Sequence, residues 1–312
     1  MTTGSDGAAV GAVSWVPFAP VPQGLSLPER PDNAHKGTFG TVVVVGGAVG
    51  FSGAPLMSAT AAARGGAGKV RVCVPEPIYG VVAAQTLEVM AHPLHAAGGG
   101  LAPEALSELR ERHLGDATAM VVGPGVGRAT GTEEMILSLL AELPAPTVVD
   151  ADGLNIAAAA LFDWRSCPQP VVLTPHPAEM GRLCGIDAAD VQSGRRELAV
   201  DYARRTGTVV VLKGSDTVVA APDGRVHLSD IRVVALATAG SGDVLSGLLG
   251  AFLAQGLDTF DAAVTAVFIH GEAALGVQAR LGRAGALPRD LLEELPLAQE
   301  RARRALEGRR DA

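Results

Sequence analysis

Aromatic residues, cysteine and lysine are all scarce in this chain, and each shortage removes a class of function. Aromatics make up 4% of 312 residues, too few for a base-stacking surface or the belts that mark a membrane interface. Acidic residues outnumber basic ones by 33 to 25, giving a net charge of −8, so no basic stripe is offered to a nucleic-acid backbone. We expect no nucleic-acid partner. Cys73, Cys167 and Cys184 are odd in number and lack CxxC spacing, which argues against a disulfide framework or a zinc site. Free thiols, no positively charged leader stretch and no run of about 18 uninterrupted apolar residues predict a soluble, cytoplasmic protein without a membrane role.

What the chain has in quantity is backbone punctuation: 39 glycines and 20 prolines, beside 48% hydrophobic residues and a mean hydropathy of +0.28. This is the composition of a folded domain with many turns. Residues 1–35 are Pro-rich and without periodicity, and are expected to form an extended, at most partly ordered N-terminal arm. Residues 36–312 are expected to form one catalytic domain. Within it, short β-branched runs recur at Thr41–Val45, Lys69–Val74, Met120–Val122, Thr147–Val149, Val171–Leu173 and Thr208–Leu212. Their continuous apolar character suits strands covered on both faces. Helical patterns alternate with them at Ala54–Arg64, Pro103–His113, Gly131–Leu143, Leu154–Phe162, Glu179–Cys184 and Arg195–Arg205. The alternation predicts a doubly wound α/β sheet. A hairpin over Asp216–Ser229 and helices at Val244–Gln255, Ala262–Leu275 and Leu291–Gly308 complete the reading.

Ligands of open α/β sheets bind beyond the carboxyl ends of the strands, and the segments that follow these strands are polar and glycine-rich. They are Gly46–Ala54, Gly123–Gly127, Asp150–Asn155, Thr174–Glu179 and Lys213–Thr217. In Gly240-Ser241-Gly242-Asp243, running into an apolar helix, glycines let amides approach an anion, and the helix terminus favours negative charge. Asp243 is then either a base beside a bound phosphate or the N-cap of that helix. Asp150 and Asp152 can hold magnesium through water, or cap the helix at Leu154. His176, fixed between two prolines, is either structural or turned towards the rim. Glu179 is accounted for by the helix dipole and the helix Arg195–Arg205 by solvation. Only Lys36, Lys69 and Lys213 stand against 22 arginines, and Lys36 and Lys213 each precede a glycine, which suits a phosphate. His92, His95, His113, His227 and His270 show no zinc spacing, and no residue is singled out as a metal ligand.

Seven motifs in order carry a family resemblance. They are Asn33-Ala-His-Lys-Gly37, the loop ending Ser52-Gly53-Ala54, Gly123-Pro-Gly-Val-Gly127, Asp150-Ala-Asp-Gly-Leu-Asn155, Thr174-Pro-His-Pro-Ala-Glu179, Lys213-Gly214 and Gly240-Ser-Gly-Asp243. Over residues 25 to 285 the chain resembles the ADP- or ATP-dependent NAD(P)H-hydrate dehydratases of the ribokinase-like superfamily. One departure is Ala178, where many relatives have glycine. The resemblance implies a three-layer αβα ribokinase-like fold with a mostly parallel central sheet. It also implies repair of hydrated NADH or NADPH by phosphorylation of the hydrate hydroxyl and elimination of phosphate. ADP would be the co-substrate, with ATP possible and Mg2+ as cofactor. Carried over by position, Ala54, Gly127, His176 and Asp243 would contact the hydrate, with Asp243 as base. Lys213, Gly214, Ser215, Asp216, Thr217 and Gly242 would form the adenine-nucleotide site, and Gly240, Ser241 and Gly242 would hold the transferring phosphoryl group. A homo-oligomer is expected, as is epimerisation by a separate protein. The rivals are a ribokinase-like kinase of a vitamin-type alcohol using ATP, and a non-catalytic nucleotide sensor.

Overall fold

The computed structural model describes residues 15–310; the first 14 residues of the expected arm lie outside the described residues. The order of elements is β1 (Thr41–Val45), α1 (Gly53–Arg64), β2 (Lys69–Pro75), α2 (Glu76–Ala83), β3 (Met90–Leu94), the two-stranded β4 (Ala96–Ala97) and β5 (Gly100–Leu101), and α3 (Ala105–Arg112). Then follow β6 (Ala119–Val122), α4 (Thr130–Ala141), β7 (Thr147–Val149), α5 (Asp152–Ala159), β8 (Val171–Leu173), α6 (Pro177–Cys184), α7 (Ala188–Ser193), α8 (Arg195–Thr206) and β9 (Val209–Leu212). The chain closes with β10 (Val218–Ala220), β11 (Val226–Leu228), α9 (Ser241–Ala254), α10 (Thr259–Leu281) and α11 (Pro288–Arg310).

A nine-stranded sheet runs in the order β11-β10-β9-β8-β7-β6-β1-β2-β3. From β9 to β3 every pairing is parallel, and only β10 runs against the others, pairing antiparallel with β9 and β11. The chain winds outward from β1 to β3, then returns beyond β1 to β6 and winds the other way. The switch point therefore lies between β1 and β6, where an open sheet leaves its crevice. Val42 and Val44 join a core formed with α1, α9, α10 and α11, while Val43 and Val45 join a second core under α3, α4, α6 and α8. A strand that alternates between two cores must be apolar throughout, which is why β1 reads Thr-Val-Val-Val-Val.

The expected three-layer α/β architecture is the one observed. β3 was absent from the sequence expectation because Met90-Ala-His-Pro-Leu94 carries a proline and a histidine; as an edge strand it needs fewer ladder bonds and tolerates Pro93. α2, opening Glu76-Pro77, was likewise not expected. α10 is long and apolar enough to cross a membrane, yet 83% of its most apolar window is buried against the rest of the protein, as in a core helix. Residues 18 to 28 lie along α10 and α11. Glu272 accepts the amides of Phe18 (2.9 Å) and Ala19 (3.1 Å), and Arg303 donates to the Pro28 carbonyl at 3.1 Å.

α1 and α9 pack in close contact, which sets where the head of α9 sits. A Cβ on Gly247 would run into the carbonyl oxygen of Ser58, and one on Gly250 would meet Val121 Cγ2 at 2.7 Å. Gly247→Val is expected to destabilise by about 2–3 kcal/mol through overpacking. Urea denaturation checks this: a lower midpoint at unchanged slope supports it, and an unmoved midpoint contradicts it.

Candidate active site

The glycine loops after β1 and β6 interlock at the switch point. Gly47 N donates to Pro124 O at 2.9 Å, and Gly123 N to Val45 O at 3.1 Å. Gly123 has φ +117, and any side chain there would strike the carbonyl of Asp150. Ala54, at the start of α1, packs against Gly125, where an added Cβ would lie 3.1 Å from Ala54 Cβ. Gly127 N donates to Asp152 Oδ2 at 3.1 Å. This bond corrects one expectation. Asp152 is the first residue of α5, whose N-cap is Ala151 with no side-chain cap; the carboxylate ties two rim loops together instead. Between the aspartates, Ala151 takes φ 52, ψ −119, a conformation a non-glycine residue holds only when its surroundings impose it.

Lys213 is the centre of the site. Its Nζ lies 2.7 Å from Asp150 Oδ1 and 3.9 Å from Glu179 Oε2. Gly242 approaches so closely that a Cβ there would sit 3.3 Å from the same nitrogen. Burial works against the ammonium, but Asp150, Glu179 and Asp243 together hold its pKa above the ordinary lysine value. Asp150 is 1% exposed, and a carboxylate so deep requires such a partner.

Asp243 stands in the first turn of α9. The N-cap of that helix is Gly240, at φ 95 and without a side-chain cap, so Asp243 is not the cap and its carboxylate accepts no cap bond. Its main-chain carbonyl accepts from Ser58 Oγ at 2.9 Å and Ser246 Oγ at 3.0 Å. These two serines, which the sequence did not flag, fix the turn that carries the acid. Burial pushes the Asp243 pKa up to about 7, with Asp150 and Glu179 adding to the rise and Lys213 opposing it. Glu179 is likewise pushed up to about 7, chiefly by burial.

His176 caps α6. Its Nδ1 accepts from the amides of Ala178 (3.1 Å) and Glu179 (3.3 Å), while Glu179 Oε2 accepts from His176 N at 2.8 Å. This reciprocal box is the second service of Glu179, beyond the helix dipole that the sequence suggested. With Nδ1 accepting, the ring proton is assigned to Nε2. Burial, Lys213 and Arg182 lower the pKa of His176, so the ring is neutral, with its one N–H at Nε2, 3.3 Å from Glu179 Oε1.

The loop Lys213–Thr217 is held by Arg195, which corrects the reading of α8 as a wholly solvated helix. Arg195 Nη2 donates to the carbonyls of Leu212 (2.8 Å) and Lys213 (3.1 Å), and Nε to that of Asp216 (3.1 Å). Thr217 Oγ1 returns to Gly214 O at 2.9 Å, Ser215 Oγ lies 3.4 Å from Asp216 Oδ2, and Arg232 pairs with Asp216 at 2.5 Å. Beside Asp216 opens a cavity of about 580 Å³ lined by Arg195, Val218, Leu228 and Arg232 among others, within the usual range for a small-molecule pocket. At the head of α9, Ser241 Oγ donates to Leu236 O at 2.9 Å. Ala54, Gly127, His176, Lys213, Gly242 and Asp243 thus share one rim, joined by the contacts above. Ser215 and Asp216 lie at its exposed end. Among the described residues no three His, Cys, Asp or Glu side chains are grouped as a metal site. The nearby donors are carboxylate oxygens, which suit magnesium bound mainly through phosphate oxygens.

A family model described as NAD(P)H-hydrate dehydratase matches residues 42–297. The chain belongs to the NAD(P)H-hydrate dehydratase family. It is 37% identical over 262 residues to the ADP-dependent (S)-NAD(P)H-hydrate dehydratase of Neisseria meningitidis, spanning 83% of this chain and 84% of that protein. It is also 41% identical over 271 residues to a bifunctional NAD(P)H-hydrate repair enzyme of Moorella thermoacetica, spanning 86% of this chain. The chain spans about half (51%) of the length of that bifunctional relative. The crystal structure of the ADP/ATP-dependent NAD(P)H-hydrate dehydratase of Bacillus subtilis, co-crystallised with ATP and Mg2+, superposes with a TM-score of 0.75 at 30% identity, covering 88% of this chain and 94% of that one. A ribokinase-like superfamily protein from Enterococcus faecalis, 24% identical, superposes equally well over 88% of this chain and 92% of its own. The fold is therefore ribokinase-like.

The raised carboxyl pKa values carry a stability consequence for this family member. A carboxyl whose folded pKa lies above its unfolded value contributes stability below the unfolded pKa, and loses it as pH rises through the folded one. For Asp243 the window runs from the ordinary carboxyl range near 4 up to about 7. Asp243→Asn is therefore expected to stabilise the protein more at pH 8 than at pH 4. Urea melts of both proteins at the two pH values check this; an equal effect at both contradicts it.

Proposed function

We propose that the chain catalyses ADP-dependent dehydration of hydrated NADH or NADPH, giving NAD(P)H, AMP and phosphate. The observation that carries this is Asp243, poised at the head of α9 beside Gly242 and Lys213 with a pKa near neutrality. A base is most useful when its pKa lies near the working pH. The hydrate hydroxyl attacks the β-phosphorus of ADP, and the hydroxyl proton passes to Asp243. The bond from that phosphorus to the bridging oxygen breaks, so that AMP leaves with the electron pair. The amides of Gly240, Ser241 and Gly242, with the positive end of α9, hold the developing negative charge. Lys213 adds a fixed cation.

Hydroxide leaves poorly, whereas phosphate leaves readily with the bonding pair as the ring nitrogen donates its electrons. The neighbouring carbon then gives up a proton and the ring double bond is restored. Ala54, Gly127 and the His176 Nε2–H are the proposed contacts to the hydrate. Lys213, Gly214, Ser215, Asp216 and Thr217 are the proposed contacts to the adenine nucleotide. Asp150 and Glu179 are the residues that would stand nearest a nucleotide-borne Mg2+, whose contribution when bound is to offset phosphate charge. The names of the relatives from Neisseria meningitidis and Bacillus subtilis support the choice of ADP, with ATP as an alternative donor.

Incubation with hydrated NADH plus ADP is expected to restore NADH absorbance with stoichiometric AMP. Recovery with neither ADP nor ATP contradicts the dehydratase reading, and a stable phosphorylated product formed with ATP points to an alcohol kinase. Asp243→Asn is expected to lower turnover by roughly 10²–10⁴-fold, the usual contribution of a general base, while nucleotide binding persists by calorimetry. A near-normal rate removes the base role.

A further inference from the structure

Seven phenylalanines are present in the chain, and most of those that reach the surface have a partner. Arg301 lies over the ring of Phe18, Arg30 over Phe39 and Arg225 over Phe260, while Phe162 meets Trp164 edge-on. Phe51 has no aromatic or guanidinium partner among the described residues. It is nevertheless 58% exposed, more than Phe18 at 47%. The loop that carries it is firmly tied. Gly47 N donates to Pro124 O at 2.9 Å, Val49 N to Gly99 O at 2.8 Å and Phe51 N to Ala48 O at 2.8 Å. An apolar ring held at the surface by such a loop, rather than folded down, indicates a ligand-facing position.

Its place in the fold identifies what the ring faces. Phe51 lies directly over the glycine loop after β6: a Cβ on Gly125 would fall 3.0 Å from Phe51 O and 3.1 Å from Phe51 Cβ. Ala54 touches the same glycine. One helical turn further along α1, Ser58 donates to the carbonyl of Asp243. The line from Asp243 through Ser58 and Ala54 therefore leads outward to Phe51, on the β1 side of the switch point. The Lys213–Thr217 loop follows β9, on the far side of β6, β7 and β8. The nucleotide and Phe51 thus approach Asp243 from opposite sides.

We propose that Phe51 is a substrate-contacting, specificity-determining residue that covers the hydrated nicotinamide ring. This rests on the dehydratase reading above. The hydrated ring would stack on the open face of the phenyl, beside the glycine loop Gly125–Gly127 that Phe51 touches, with its hydroxyl turned to Asp243. Such stacking is sequence-cheap, because it needs one exposed aromatic side chain.

Phe51→Ala and Phe51→Tyr test the assignment with the full chain. The side chain is exposed, so neither change is expected to impair folding. Phe51→Ala is expected to weaken NADH binding, read by fluorescence titration, by about tenfold, and to raise KM for hydrated NADH similarly. KM for ADP should be unchanged, and Phe51→Tyr should stay within about twofold of the parent. Unchanged NADH affinity in Phe51→Ala, or an equal loss of ADP affinity, overturns the role of Phe51 while the parent still restores NADH. A parent that binds no NADH and restores none overturns the dehydratase reading and this inference with it.

Discussion

A single ammonium set among three carboxylates organises the rim of the candidate active site. Lys213 emerges from the end of β9, Asp150 from the end of β7, Glu179 from the first turn of α6 and Asp243 from the first turn of α9. One positive charge cannot satisfy three negative ones at low dielectric, so the deepest and nearest acid, Asp150, takes the ion pair. Burial above all, with the unneutralised like charge added, leaves the other two with pKa values raised to about 7. Burial and that imbalance together keep a proton exchangeable near neutral pH, which suits the proposed base. It also leaves the region short of positive charge, a deficit that a magnesium-bearing nucleotide would reduce.

The scaffold around this cluster is built to bring backbone close. Glycine at 242 admits the lysine, and glycine at 123 admits the Asp150 carbonyl. Gly247 lets α1 and α9 touch, so that Ser58 reaches across to fix the turn bearing Asp243. Among the described residues two non-glycines take positive φ, Ala151 and Leu161, and Ala151 is the one at the site, between Asp150 and Asp152. Arg195 serves the opposite end of the rim, donating to the carbonyls of Leu212, Lys213 and Asp216 from the head of α8.

The parallel strands were legible because each is buried on both faces and therefore apolar throughout. The glycine-rich segments behind them were legible because close backbone approach excludes side chains. Edge elements such as β3 were not, since one free edge relaxes the very pattern that identifies a strand. Within the site, the types of residue could be read, but not their pairings. Asp152 has the look of a helix cap, yet binds the Gly127 amide. Arg195 has the look of a solvated charge, yet staples a loop. Ser58 and Ser246 lie in alanine- and leucine-rich helices, with no local signal that they share one carbonyl. The Asp152, Arg195 and Ser58 pairings join residues 25, 17 and 185 positions apart, on different elements, which periodicity does not report.

The central claim, that burial and crowded carboxylates together tune Asp243 as the proposed base, is tested most directly by the pH dependence of kcat with hydrated NADH and saturating ADP. The parent should show an acidic limb near pH 7, with activity rising as Asp243 ionises. Glu179→Gln keeps an acceptor for the His176 amide but removes one like charge, so the limb should move to lower pH. A limb that stays in place in Glu179→Gln, or one in the ordinary carboxylate range for the parent, would contradict the account.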